Sequence, residues 1–215
     1  MYAAAVFDLD GTILDTLDDL QLCLNHTLDA HGFPLYTRAE VRAMVGNGLR
    51  RLMADACPAG APQEEVDSVF EDFCAYYAEH CNDHTGPYPG IVGMVERLRE
   101  TGVRCAVVSN KGDFAVRELM DLHFPGVFDF VLGQRDDIPR KPAPDMVYAA
   151  MAALEADQAN SVYVGDSEVD VVTAENAGIP CLSVTWGFRD TEWLAAHGAQ
   201  CQVDSVEALG QAILS

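Results

Sequence analysis

Residues 3–12 read Ala3-Ala4-Ala5-Val6-Phe7-Asp8-Leu9-Asp10-Gly11-Thr12. Five apolar side chains run on without a polar interruption, then two aspartates flank a leucine ahead of a glycine. A short, continuous apolar run predicts a strand over Ala3–Asp8 covered on both faces, as in a parallel sheet whose two sides carry helices. The glycine marks the turn that follows, so the two acids stand at the carboxyl end of the strand. In open α/β sheets, ligands gather beyond those ends.

Working outward, the same apolar texture recurs at Val103–Ser109, Phe128–Leu132, Ser161–Val164 and Cys181–Val184. Helical stretches follow at Gly112–Leu122, Ala143–Leu154, Asp170–Ala177 and Ser205–Leu214, with Gly90–Thr101 ahead of the second strand. This alternation predicts an α/β fold on a parallel sheet. One interval breaks the rhythm. More than ninety residues separate Asp8 from Val103, far beyond a single crossover helix. Within it, Leu17–His31, Arg38–Met44, Gly48–Cys57 and Pro62–Cys81 read as helices, parted by turns at Gly32-Phe33-Pro34, Gly46-Asn47-Gly48 and Pro58-Ala59-Gly60. The expected organisation is therefore a core of residues 1–15 and 83–215 with a helical cap of residues 16–82 inserted after the first strand, Asp83–Pro89 being the return linker.

The strand ends collect a particular chemistry. Asp8 and Asp10 end the first strand, Ser109-Asn110-Lys111 the second, and Gly165-Asp166-Ser167-Glu168-Val169-Asp170 the fourth, while the loop after the third carries Arg140-Lys141-Pro142. Carboxylates gathered this closely repel unless a cation joins them. Oxygen donors without histidine or cysteine favour a hard ion, Mg²⁺ ahead of Ca²⁺ or Zn²⁺. Mg²⁺ keeps open positions that a phosphate fills, with Lys141, Asn110 and the Ser109 hydroxyl suited to the remaining phosphate oxygens. Asp8 and Asp10, spaced i and i+2, share one side of the strand end. One would attack phosphorus and the other would protonate the leaving oxygen.

Composition narrows the partners. Of 215 residues 49% are apolar, and 13 Lys and Arg stand against 34 Asp and Glu, for a net charge of −21. Such a chain repels phosphate backbones and anionic lipid, which argues against nucleic acid and membrane as partners. An anionic substrate then needs a local positive device, and a metal with Lys141 is one. The seven cysteines form no C-x-x-C pair and the six histidines show no ligand spacing, so reduced thiols in a cytoplasmic protein are expected. The amino terminus has no basic flank and turns acidic at Asp8, unlike a signal peptide. No P-loop, dinucleotide turn, H-E-x-x-H or nucleophile elbow is found.

Asp8-Leu9-Asp10-Gly11-Thr12, Ser109-Asn110, Lys141-Pro142 and Gly165-Asp166-Ser167-Glu168-Val169-Asp170 together resemble the four motifs of the haloacid dehalogenase-like hydrolase superfamily, in order and across almost the whole chain. The resemblance implies a Rossmann-like core, a C1 cap, Mg²⁺ and an aspartyl-phosphate. It would make Asp8 the nucleophile and Asp10 the general acid and base. Asp8, the Asp10 carbonyl and Asp166 would ligate the metal, with Asp170 behind them. Ser109 and Asn110 would bind the phosphoryl group, and Lys141 would neutralise it and orient Asp8. Asp10 speaks against the dehalogenase branch, which has no alkoxide to protonate. Val45-Gly46-Asn47-Gly48-Leu49, Thr37-Arg38 and Val184-Thr185-Trp186-Gly187-Phe188 resemble the phosphoglycolate phosphatase subfamily. In the cap, Gly46, Asn47, Gly48 and Arg50 are the expected substrate contacts, at a helix N-terminus that suits an anion. The expected function is hydrolysis of a small phosphorylated metabolite, 2-phosphoglycolate foremost. The alternatives are a phosphosugar phosphatase or phosphomutase, a pyrophosphatase, and a non-catalytic binder of phosphorylated ligands.

Overall fold

Ala4–Phe7, every side chain sealed from solvent, form strand β1 at the centre of a sheet. The computed structural model describes residues 1–46 and 48–215, so the expectation placed on Asn47 lies outside the described residues. After β1 come β2 (Leu14–Asp15), α1 (Leu17–Ala30), α2 (Arg38–Met44), α3 (Leu49–Ala56), α4 (Gln63–His80) and β3 (Gly86–Pro87). Next are α5 (Ile91–Glu100), β4 (Arg104–Gly112), α6 (Asp113–His123), β5 (Phe130–Gln134) and α7 (Asp145–Ala153). The chain ends with β6 (Ser161–Gly165), α8 (Glu168–Ala177), β7 (Cys181–Val184), α9 (Thr191–Ala196), β8 (Gln202–Val203) and α10 (Val206–Leu214).

Six strands pair in the order β5-β4-β1-β6-β7-β8, all parallel. The chain moves outward from β1 to one side through β4 and β5, then returns to build the other side. β1 thus marks the reversal where ligands bind in such sheets. Alternation along the strands feeds two cores. Ala5, Phe7, Cys105, Val107, Val162 and Val164 pack with α5, α6 and α10, and Ala4, Val6, Ala106, Val108 and Tyr163 pack with α7 and α8. Burying one such large apolar side chain contributes about 1.5–3 kcal/mol. This is the α/β parallel sheet that the sequence predicts, with β8 and α9 added, both too short to leave a periodic signal.

One irregularity matters for the site. Between Val108 and Gly112, β4 advances four residues while β5 advances two, from Leu132 to Gln134. Such a bulge takes residues out of the ladder and re-aims their side chains. The residues involved are Ser109, Asn110 and Lys111.

The chain divides into two compact units, Met1–Leu14 with Pro87–Ser215, and Asp15–Gly86. In the second, α1 buries Leu17, Leu20, Cys23, Leu24, Thr27 and Leu28, and α4 buries Val69, Phe73 and Tyr77, both at helical spacing. A capping box joins Thr37 and Glu40 at the start of α2. The return boundary falls a few residues later than residue 83, where composition suggests it. The reason is Asp19 on α1, whose carboxylate accepts the backbone N–H groups of His84 and Thr85 at 2.8–3.0 Å and so ties Asp83–Gly86 to the helical unit. Among the described residues no helix is long and apolar enough to cross a membrane.

Candidate active site

The end of β1 delivers Asp8 to a buried lysine. Lys141 Nζ donates to Asp8 Oδ1 at 2.7 Å, to Asp170 Oδ1 at 2.9 Å and to the Tyr163 hydroxyl at 3.0 Å. All three ammonium protons are engaged, on a side chain only 3% exposed. Tyr163 in turn donates to Asp170 Oδ1 at 3.0 Å. The other Asp170 oxygen accepts from the backbone N–H groups of Asp166 and Ser167 and from Ser167 Oγ, at 2.6–3.2 Å. With five donors Asp170 is saturated: it closes the first turn of α8 and anchors Lys141. Asp8 Oδ2, by contrast, accepts no hydrogen bond from the described residues.

Asp166 lies at the end of β6, wholly buried. Thr12 Oγ1 donates to its Oδ1 at 3.3 Å and the Phe188 N–H to its Oδ2 at 2.6 Å. The close fit depends on two glycines. Gly11 has φ +85°, which favours glycine, and a Cβ there would collide with the Asp166 carboxylate. A Cβ on Gly187 would strike Asp166 from the loop after β7. In that loop the Trp186 indole donates to the Thr12 carbonyl at 3.1 Å, so the segments around Asp10 and Asp166 are held together.

The bulge of β4 completes the rim. Ser109 is buried, and its Oγ accepts the Lys111 N–H at 3.1 Å. The Asn110 amide braces the lysine loop: its Oδ1 accepts the Lys141 N–H at 2.8 Å and its Nδ2 donates to the Lys141 carbonyl at 3.0 Å. The sequence reading offers Asn110 to a phosphoryl group; the structure also gives it the task of fixing the Lys141 backbone. Lys111 Nζ donates to Asp10 Oδ1 at 2.8 Å.

The electrostatics of the cluster are unbalanced. Burial pushes the Asp8 carboxyl up to about 7, against the pull of Lys141 and with the push of Asp170. Burial, then the carboxylates of Asp170 and Asp8, hold Asp166 well above the usual carboxylate range. Burial would lower Lys141, but Asp170 and Asp8 outweigh it and hold its ammonium protonated. Asp8, Asp166 and Asp170 each place a carboxylate oxygen within 4.8 Å of the others, those of Asp170 being already occupied by its five donors. When all three are ionised, they carry two negative charges more than Lys141 offsets, and their donors are oxygen alone. The residues present therefore fit a divalent cation.

The remaining expected contacts lie in the helical unit. Gly46 has φ +124°, and Gly48, with φ +84°, precedes α3. Arg50 donates to Asp67 at 2.6 Å and lies 4.2 Å from the centroid of the Phe70 ring. Sequence reasoning passed over Tyr163 because it sits mid-strand among apolar residues. Its signal is the phenol itself, which needs a partner when buried. The Phe188 N–H is a backbone donor and leaves no trace in residue identity.

The chain is similar to proteins already known. A phosphoglycolate phosphatase of Agrobacterium fabrum is 33% identical over 190 residues, covering 86% of this chain and 82% of its own. The crystal structure of a phosphoglycolate phosphatase candidate from Lactobacillus delbrueckii subsp. bulgaricus superposes with a TM-score of 0.96 at 40% identity, covering 99% of this chain and 98% of that one. CbbY from Rhodobacter sphaeroides, solved with xylulose-(1,5)bisphosphate, superposes at 0.76 with 26% identity over the full length of both. The haloacid dehalogenase-like hydrolase family model matches residues 5–184. Since that match runs from β1 to β7, through every loop that carries the acids and the two lysines, the chain belongs to the haloacid dehalogenase-like hydrolases.

Proposed function

We propose that the protein is a Mg²⁺-dependent phosphatase of a small phosphomonoester, with 2-phosphoglycolate its foremost substrate, and that it works through an aspartyl-phosphate on Asp8. The observation that carries this reading is the asymmetry of Asp8. One oxygen is held at 2.7 Å by a buried lysine and the other accepts no hydrogen bond from the described residues, two residues from a second carboxylate with a lysine of its own.

Asp8 Oδ2 attacks phosphorus and the ester bond breaks. The leaving oxygen takes a proton from Asp10. Water then attacks the aspartyl-phosphate and gives its proton back to Asp10, which releases inorganic phosphate and restores the Asp8 carboxylate. Lys141 orients Asp8 throughout and offsets charge on the phosphoryl oxygens, to which Ser109 Oγ and the remaining Asn110 Nδ2 proton donate. Mg²⁺, held by Asp8, the Asp10 carbonyl and Asp166, would supply the positive charge that lets a carboxylate approach a phosphate dianion. Asp170 keeps Lys141 in place. The helical unit Asp15–Gly86 serves as the cap, and Gly46, Asn47, Gly48 and Arg50 recognise the substrate carboxylate, Arg50 by leaving Asp67.

The naming of the Agrobacterium relative supports 2-phosphoglycolate, and the CbbY complex supports a phosphosugar as the second reading. A non-catalytic binder has no use for Asp10. Phosphate release is measured from 2-phosphoglycolate, pyrophosphate, phosphosugars and nucleotides, with Mg²⁺ and with chelator. The expected result is Mg²⁺-dependent release, fastest from 2-phosphoglycolate, with ³²P bound to Asp8 after an acid quench. Release without label on Asp8 overturns the mechanism, and a far better panel member overturns the substrate.

A further inference from the structure

Lys111 is a buried ammonium for which the steps above have no use. Its side chain is 4% exposed, and its Nζ meets Asp10 Oδ1 at 2.8 Å. The β4 bulge puts it there, and its own N–H is pinned to Ser109 Oγ at 3.1 Å, so the lysine stem starts from a fixed point. Asp10, on the turn after β1, is more exposed, at 18% of its side chain. Its Oδ2 accepts no hydrogen bond from the described residues.

We propose that Lys111 is a positioning residue for the acid–base step: its ammonium grips one oxygen of Asp10 so that the other lies on the path to the leaving oxygen. The inference rests on the acid–base reading of Asp10 given above. Proton delivery in a transition state demands a fixed direction, and an unrestrained carboxylate on a turn would sample many. A charge-assisted hydrogen bond from a lysine with no room to move removes that freedom. Lys141 holds the attacking carboxylate in the same manner, so each reactive aspartate has its own lysine: one brought by the loop after β5, the other by β4.

A residue that orients the acid has a signature that a structural residue lacks. Losing it harms esters whose leaving oxygen needs a proton and spares those whose leaving group is already a weak base. The measured quantity is kcat/KM for 2-phosphoglycolate relative to p-nitrophenyl phosphate, a ratio that does not depend on how much of a variant is folded. Lys111→Met is expected to lower this ratio by about tenfold or more, a part of what general acid catalysis provides. Lys111→Arg should restore part of the loss, and Asp10→Asn should lower the ratio at least as far as Lys111→Met. Equal losses on both esters would overturn the proposal, as would a rise confined to KM for 2-phosphoglycolate, which would make Lys111 a substrate contact. If Asp10→Asn lowers the ratio and Lys111→Met does not, the positioning role falls and the acid–base reading stands. If neither lowers it, both fall.

Discussion

Two buried aspartates, one in each unit, meet opposite fates. Asp19 in the helical unit is 1% exposed, and burial alone would raise its pKa. Hydrogen bonds from the His84 and Thr85 N–H groups and from the His84 ring outweigh that and hold it below the usual range. Asp8 in the core is nearly as enclosed, yet burial lifts it to about 7 in spite of Lys141. The difference lies in the donors. The helical unit surrounds its acid with N–H groups and gains a fixed chain return. The core gives one oxygen of its acid no donor among the described residues and adds two more acids beside it. Stability is given up at the place proposed above to meet a phosphoryl group.

The comparison breaks most directly by exchanging each acid for its amide. Asp8→Asn should cut turnover by at least about a thousandfold, as loss of a nucleophile does elsewhere, and the protein should still melt cooperatively. Asp19→Asn should leave turnover within about threefold and cost about 1–3 kcal/mol, since it weakens or orphans buried N–H donors. Steady-state phosphate release and thermal melts followed by circular dichroism check both. An Asp8→Asn protein with wild-type turnover would end the contrast.

A second effect, on stability rather than turnover, is expected from the lysine that holds the core cluster together. Lys141→Met leaves Asp8 and Asp170 without their ammonium and should destabilise the metal-free protein by about 3–5 kcal/mol. Chemical denaturation in chelator measures it. Added Mg²⁺ should recover part of that loss, because a dication replaces some of the missing positive charge. If Mg²⁺ gives no recovery, the cluster is not a cation site.

How much of this was legible in the residues follows from where the information sits. Asp8-Leu9-Asp10-Gly11-Thr12 could be read because an apolar strand must end before two acids and a glycine, and an α/β sheet leaves one place for such an end. Asp166 was legible for the same reason, and Lys141 as a basic residue in the loop after the third strand. The Asp10–Lys111 pair was not, since it depends on a bulge that shifts β4 by two residues against β5, and residue types do not record that. His84 and Thr85 read as linker because nothing in sequence shows their N–H groups reaching Asp19, 65 and 66 residues away. Tyr163 lies inside a run that reads only as a buried strand, and nothing in that run shows its hydroxyl reaching Lys141 and Asp170.

The finest test of the contrast is the slope of stability against pH in the metal-free protein. The unfolded chain releases the Asp8 proton near the ordinary aspartate value, about 4. The folded chain keeps that proton up to about 7. Between these values the folded state binds more protons, so stability attributable to Asp8 falls as pH rises. Asp19 runs the other way. Its folded pKa is depressed, so its contribution is complete above about 4 and is lost as pH falls through the folded value. Melting temperatures in chelator should therefore decline toward neutral pH in the wild type, on a background of repulsion from the net charge of −21 that all variants share within a unit or two. Asp8→Asn should lessen that decline without removing it, because Asp166 is also raised. Asp19→Asn should leave the decline alone and flatten the loss on the acid side. Were Asp8→Asn to keep the wild-type slope near neutrality, the buried carboxylate would not be the group that resists ionisation, and the tension assigned to the core would have to reside in Asp166.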